Sequence, residues 1–213
     1  MTSPRISPLG DTAITLTFGE GISAELNDRV VEEANRIAAA KLHGVRDVVP
    51  AYASLTVHYD PLRIGYSDLR SLLASLSPAM TSQMQRTPQT HVIPVRYNGE
   101  DLDDVARRTN LTVEDVIGIH SNAEYRVFVI GFVPGFAYLG PLDSRLVVAR
   151  RDSPRKRVPA GSVAIAEAQT GVYPAETPGG WHLIGTTDVK MFDATRESPA
   201  LLAVGDRVRF SPQ

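Results

Sequence analysis

Ten consecutive residues, Gly131-Phe132-Val133-Pro134-Gly135-Phe136-Ala137-Tyr138-Leu139-Gly140, hold three glycines and three aromatics. Glycine lets backbone approach a ligand closely and reach positive φ, and aromatics beside it can wall a pocket. A glycine-bent strand end with aromatics serving only the core is the alternative. A basic cluster follows: Arg145, Arg150, Arg151, Arg155, Lys156 and Arg157, interrupted by Asp152, Ser153 and Pro154. A guanidinium can grip a carboxylate or phosphate with two parallel hydrogen bonds, although a solvated basic face would read the same way. Pro154 fixes the chain just before Arg155, which favours Arg155 over its neighbours as the anion contact. Val158 to Val163 is a turn feeding a strand, in which Ser162 has a hydroxyl either for a substrate oxygen or for its own turn. Gln169-Thr170-Gly171-Val172-Tyr173-Pro174 adds an amide, a hydroxyl and a phenol. Thr177-Pro178-Gly179-Gly180-Trp181-His182 adds a diglycine whose N–H groups could form an anion nest, beside the chain's one tryptophan. The alternative for that loop is a tight turn with Trp181 plugging a barrel end. Arg155 to Thr187 therefore reads as a preorganised segment for an anion or small molecule.

Several other chemistries are removed by the same inspection. There is no cysteine, hence no disulfide, thiolate nucleophile or Cys-based zinc site. No phosphate-binding Gly-x-x-x-x-Gly-Lys-Ser/Thr and no Gly-x-Ser-x-Gly elbow occurs. His43, His58, His91, His120 and His182 are scattered, none at metal-ligand spacing from another, so no metal site is expected. A net charge of −2 offers no field for nucleic acid or a membrane surface. Met1 to Gly10 lacks the apolar run of a secretory signal, and no stretch is long and apolar enough to span a bilayer; a cytoplasmic protein is the expectation.

The elements that would position these residues fall into two halves. Ala13–Phe18 alternates like a half-buried strand, and Ile22–Leu42 repeats apolar residues at helical spacing with Ser23 as N-cap and Gly44 as the terminating glycine. Val45–Val49 and Leu55–Tyr59 read as strands and Ser67–Leu76 as a short helix. This β-α-β-β-α order fits a ferredoxin-like unit without its last strand. Ser77–Thr90 is polar and proline-containing, a linker. Beyond it, His91–Tyr97 and Tyr125–Ile130 read as strands, and Leu102–Arg108 and Val113–Ser121 as helices, the second opened by a Thr112/Asp115 capping box. Leu146–Ala149, Ser162–Ala166, Leu183–Gly185 and Arg207–Phe210 are further short strands. Many short strands with glycine and proline turns predict a closed or nearly closed β-barrel.

Gly131 to Gly140, Pro154-Arg155, Val158 to Val163, Gln169 to Pro174 and Thr177 to Trp181, followed by Leu183-Ile184-Gly185, closely resemble the B-component family of the bacterial 5-oxoprolinases. That family also holds the kinase inhibitor KipI and the so-called allophanate hydrolase subunit 1, and it is similar to part of the carboxyltransferase region of urea carboxylase. The resemblance covers essentially the whole chain and is strongest from about Glu124 onward. It implies an α+β protein: a ferredoxin-like domain over residues 1–80, a linker over 81–90 and a cyclophilin-like β-barrel over 91–213. It implies ATP-dependent opening of 5-oxo-L-proline to L-glutamate, with ATP and Mg2+ used by a complex. The implied partners are the C component of 5-oxoprolinase (allophanate hydrolase subunit 2, KipA-like) and its A component, the isolated chain being inactive. A KipI-like kinase inhibitor and a urea carboxylase-related component are the alternatives. Arg155 and His182 stand as catalytic candidates, with a structural role as the alternative for His182. Pro134, Gly135, Phe136, Tyr138, Ser162, Gln169, Tyr173, Gly179, Gly180 and Trp181 stand as substrate-binding candidates. Two positions depart from the family pattern: Ala137 replaces a common proline, and Ala166-Glu167-Ala168 replaces Gly-Gly-Pro.

Overall fold

Alternating apolar residues and an amphipathic helix build the first half. A computed structural model describes residues 3–76 and 87–213. The chain divides into two units, Met1–Thr87 and Pro88–Gln213. The first contains β1 (Arg5–Leu9), β2 (Ala13–Thr17), α1 (Ala24–Ala40), β3 (Val45–Pro50), β4 (Ser54–Tyr59) and α2 (Tyr66–Ser75). Its antiparallel sheet has the order β1-β2-β4-β3. Period-two alternation puts Ile14 and Leu16 on one face, opposite Val57 and Leu55. That face packs with Val30 and Ile37 of α1 and Leu69 and Leu73 of α2. Each such side chain contributes about 1.5–3 kcal/mol on burial.

Two details differ from the sequence expectation. The strand β1, unforeseen because its Arg-Ile-Ser-Pro-Leu has little alternation, pairs with β2 and fills the edge that the expected unit lacked. Ser23 caps α1 as expected, but the helix stops at Lys41, which takes the left-handed conformation at φ 44°. Gly44 instead turns the chain into β3 at φ +83°, where a Cβ would lie 2.6 Å from Ile64 Cγ2.

The second unit contains β5 (Thr90–Val95), α3 (Leu102–Thr109), α4 (Val113–Ser121), β6 (Glu124–Ile130), β7 (Ala137–Gly140), β8 (Arg155–Val158), β9 (Ser162–Ala166), β10 (Gln169–Val172), β11 (Thr177–Gly179), β12 (His182–Thr186) and β13 (Arg207–Pro212). Most of the expected linker, 81–90, lies outside the described residues; its last residue, Thr90, opens β5. Seven strands form one sheet in the order β12-β9-β10-β7-β6-β13-β5. Its two edges meet at one bridge: Arg96 and Thr186 exchange N–H···O bonds of 2.9 and 2.8 Å. The sheet is thus a nearly closed barrel. Gly185 permits the closure, since a Cβ there would stand 2.6 Å from the Arg96 carbonyl oxygen. β8 and β11 form a separate two-stranded ribbon. The expected strand Leu146–Ala149 is instead a 3-10 turn, Ser144–Leu146, followed by a single bridge from Val148 to Glu167.

Strand β9 shows how one short sequence serves two cores. All five of its residues are buried. Val163 and Ile165 point into the barrel with Val127, Leu139, Ile184 and Val208. Ala164 and Ala166 point the other way, into a cluster with Phe136, Tyr173 and Trp181. The alternation of branched and small side chains therefore fills the barrel on one face and leaves room for large rings on the other.

The β9–β10 hairpin turns through Glu167, which sits at φ +53°. Tight hairpin turns favour Gly or Asn at positive φ, and a residue with a longer side chain is strained there. Glycine would adopt this conformation without that strain. Glu167→Gly is expected to raise stability by about 0.5–1 kcal/mol, the relief exceeding glycine's entropic cost. A denaturant midpoint that stays put or falls would contradict that reading.

Candidate functional site

Between β6 and β7 the chain reverses through Gly131 to Gly135, with Phe132 at φ +70° and Gly135 at φ +82°. Positive φ at a bulky residue is costly and tends to persist where the surroundings enforce it. Gly135 is buried against Phe192, whose Cβ would lie 2.7 Å from an added Cβ. The turn exposes Phe132 and aims Phe136 inward, where it is 2% exposed. Phe136 meets Tyr138, Tyr173, Trp181 and Phe132 edge to face, with ring centroids at 4.9, 5.3, 5.5 and 5.7 Å. Such pairs add to the burial free energy and hold the rings at fixed angles.

These rings wall a cleft of about 260 Å3. Gly179, Gly180, Pro154, Pro178, Arg150 and Arg151 complete its lining. The glycine at 179 is dictated by the Tyr173 hydroxyl, which would stand 2.3 Å from a Cβ. The Trp181 backbone lies close enough to that same hydroxyl to oppose the effect of burial on it. The Gly180 carbonyl accepts from the Arg151 N–H at 2.9 Å, which stitches the diglycine loop to the basic segment.

Six of the ten substrate-binding candidates line this cleft: Phe136, Tyr138, Tyr173, Gly179, Gly180 and Trp181. Pro134 and Gly135 shape the turn behind it. Ser162 is buried and donates to the Pro159 carbonyl at 2.8 Å, closing its own turn. Gln169 is buried in β10 opposite Ala166.

Arg155 and His182, the catalytic candidates, are not among the residues that line the cleft. Arg155 donates through Nη2 to Asp101 Oδ1 at 2.7 Å, and its Nε lies 2.6 Å from Glu100 Oε1. Burial works against its charge, but Asp101 and Glu100 outweigh burial and raise its pKa. His182 is 1% exposed, with Nε2 at 2.9 Å from the Ala149 carbonyl; that contact requires the proton on Nε2. Its Nδ1 has no hydrogen bond and lies 3.9 Å from Asp104 Oδ2, too far for one.

Asp101, absent from the sequence-level candidates, organises this side. It is 4% exposed and accepts three bonds of 2.7 Å, from Arg151 Nη1, Arg155 Nη2 and the Leu183 N–H. It stands at the N-cap of α3, yet its side chain makes no capping bond because both oxygens are taken by these donors. The acidic run Glu100-Asp101-Leu102-Asp103-Asp104, set against the basic run from Arg145 to Arg157, was the available signal. Phe132, Arg150 and Arg151 also line the cleft; none was among the substrate-binding candidates, although Phe132 lies inside the Gly131–Gly140 run and both arginines inside the basic cluster.

Burial raises the pKa of Tyr138 and Tyr173, with the Trp181 backbone partly offsetting this at Tyr173. Both phenols stay protonated at neutral pH and can donate. The cleft therefore offers flat apolar walls, phenol O–H donors and arginine at the rim. It suits a small, flat, polar molecule with a negative group. Among the described residues, no group of three or more His, Cys, Asp or Glu converges to hold a metal ion, and no helix is long and apolar enough to cross a membrane.

Residues 4–202 match the family described as carboxyltransferase domain, subdomain C and D. The B subunit of 5-oxoprolinase from Haemophilus influenzae is 51% identical, over 97% of this chain and 96% of its own. That of Bacillus subtilis is 40% identical, over 97% of this chain and 91% of its own. The crystal structure of TTHA0988 superposes with a TM-score of 0.85 at 44% identity, covering 94% of this chain and 40% of that one; this chain thus spans less than half of that polypeptide. The chain belongs to the carboxyltransferase domain family and, within it, to the group of 5-oxoprolinase B subunits.

Proposed function

We propose that this chain is the B subunit of an ATP-dependent 5-oxoprolinase, which hydrolyses 5-oxo-L-proline to L-glutamate, and that the aromatic cleft is its contribution to a site completed by the enzyme's C and A components. The observation that carries this reading is the convergence of the Gly131–Gly140, Gln169–Pro174 and Thr177–Trp181 segments on one cleft. The substrate is a flat five-membered lactam with one carboxylate, which matches ring walls, phenol donors and a cationic rim. The structural relative whose chain is more than twice as long supports a protein that works joined to further polypeptide. The first unit is then a ferredoxin-like domain whose edge strand comes from the N-terminus, and the second a cyclophilin-like barrel. A cytoplasmic setting follows from the use of ATP.

A lactam carbonyl is a poor electrophile, and activating it requires charge stabilisation at its oxygen. Within this chain the cleft's share is to bind the ring, exclude water from its faces and orient the lactam toward the phenols. Among the described residues no group of three or more His, Cys, Asp or Glu converges, and a magnesium nucleotide would need only one or two carboxylates beside its own phosphates; no step through the nucleotide is assigned to this chain. Reconstitution with the A and C components tests the reading. The assembled complex is expected to couple ATP hydrolysis to glutamate formation and to lose activity when this chain is omitted. An assembled complex without 5-oxoproline-dependent ATP hydrolysis would refute it.

A further inference from the structure

Three arginines stand on the segment that borders the cleft, and they are not equivalent. Arg151 and Arg155 both bind the buried carboxylate of Asp101 at 2.7 Å. Their charge is used within the chain, and removing them from Asp101 would strand a buried anion. Arg150 lines the cleft with its side chain 57% exposed. It pairs with Glu167, whose side chain is 59% exposed, at 3.3 Å. An ion pair so open to water is weak and exchanges readily. Its carboxylate partner is also the residue held at φ +53° in the β9–β10 turn.

We propose that Arg150 binds the carboxylate of a small cyclic-amide acid in the aromatic cleft, and that Glu167 is the internal carboxylate which that acid displaces. Arg150 is within electrostatic reach of both Tyr138 and Tyr173, where its charge opposes the effect of burial on the phenols. A ligand with its ring between the aromatic walls would thus share the cleft with two phenols and the Arg150 guanidinium. The planar fork of Arg150 suits a carboxylate with two parallel bonds, which a lysine would not reproduce. Glu167 sets a threshold: only a ligand whose own carboxylate outcompetes an exposed intramolecular one binds well. This makes Arg150 a specificity-determining residue, selecting acids over neutral lactams.

This assignment rests on the oxoprolinase reading, and the experiment separates the two. In the assembled complex, KM for 5-oxo-L-proline is measured for wild type, Arg150→Gln, Arg150→Lys and Glu167→Gln, alongside inhibition by the neutral carboxamide of 5-oxoproline. Arg150→Gln is expected to raise KM by roughly 10–100-fold, with Arg150→Lys in between. Inhibition by the carboxamide is expected to be equal in wild type and Arg150→Gln. Glu167→Gln is expected to lower KM by roughly 2–5-fold as the internal competitor is lost. An active wild-type complex whose KM is unmoved by both Arg150→Gln and Glu167→Gln would overturn the assignment alone. An inactive wild-type complex would overturn the oxoprolinase reading and the assignment with it.

Discussion

Replacing Asp101 by alanine is expected to cost about 3–5 kcal/mol of stability in the second unit. The carboxylate is 4% exposed and accepts from Arg151, Arg155 and the Leu183 N–H. Its removal leaves a buried amide without a partner and two guanidiniums facing each other without the anion between them. Arg155 keeps Glu100 at 2.6 Å, so the loss stays within that range. The same bonds tie the start of α3 to β12 and to the ribbon strand β8, so the cleft loosens as stability falls. Asp101→Asn retains an acceptor for Leu183 but not the charge, and is expected to lose roughly half as much. Trp181 is the only tryptophan in the chain, and its emission during denaturant unfolding reports this unit alone. An Asp101→Ala midpoint equal to wild type would refute the role given to Asp101.

The second large effect is an acid-dependent loss of stability through His120. Its ring is fully buried. Nδ1 lies 2.8 Å from the Tyr97 hydroxyl and Nε2 2.9 Å from Thr170 Oγ1. Thr170 donates onward to the Ala164 carbonyl at 3.0 Å, so it must accept from His120, which places the proton on Nε2 and leaves Nδ1 to accept from Tyr97. The neutral ring is therefore satisfied at both nitrogens, and it stacks on Phe210 at 4.6 Å. Burial pushes its pKa down from 6.5 to about 3. The unfolded chain binds a proton below pH 6.5 that the folded chain refuses until about pH 3. The stabilisation is thus complete above pH 6.5 and is lost as pH falls through that window, at about 1.4 kcal/mol per unit and about 5 kcal/mol in total. The His120 ring is expected to show no NMR titration in the folded protein down to pH 4. His120→Gln is expected to flatten the pH dependence of the denaturant midpoint between pH 6.5 and 4. A His120 resonance titrating near pH 6 would contradict this role for burial.

Readability from sequence followed the range of the interactions involved. Helices α1 and α4 were legible because periodicity and caps such as Ser23 and Thr112/Asp115 act within four residues. Strand β9 was legible from its run of β-branched and small residues. The strands β7, β10 and β11 were hidden among glycines and prolines, since pairing with distant strands, rather than local propensity, makes them extended. The Arg96–Thr186 closure links residues 90 positions apart, and nothing in either neighbourhood encodes it. The aromatic and diglycine motifs pointed to the cleft directly. The basic cluster pointed to it too, but the preference for Arg155 came from the proline before it and not from its partners. Asp101, 50 and 54 positions before Arg151 and Arg155, decides which arginines are occupied, and that pairing emerges only when α3, β8 and β12 meet. The Glu167 departure was visible in sequence; its positive φ and its pairing with Arg150 were not.

If the cleft around Trp181 is the wall against which the substrate binds, a probe at that one indole must sense the substrate. The chain labelled with 5-fluorotryptophan, assembled with unlabelled partner components, carries a single fluorine at that wall. On titration with 5-oxo-L-proline, its 19F resonance is expected to shift and saturate in parallel with turnover, and to shift far less with Arg150→Gln at the same concentrations. A resonance that stays fixed while the complex turns over its substrate would place the binding site elsewhere.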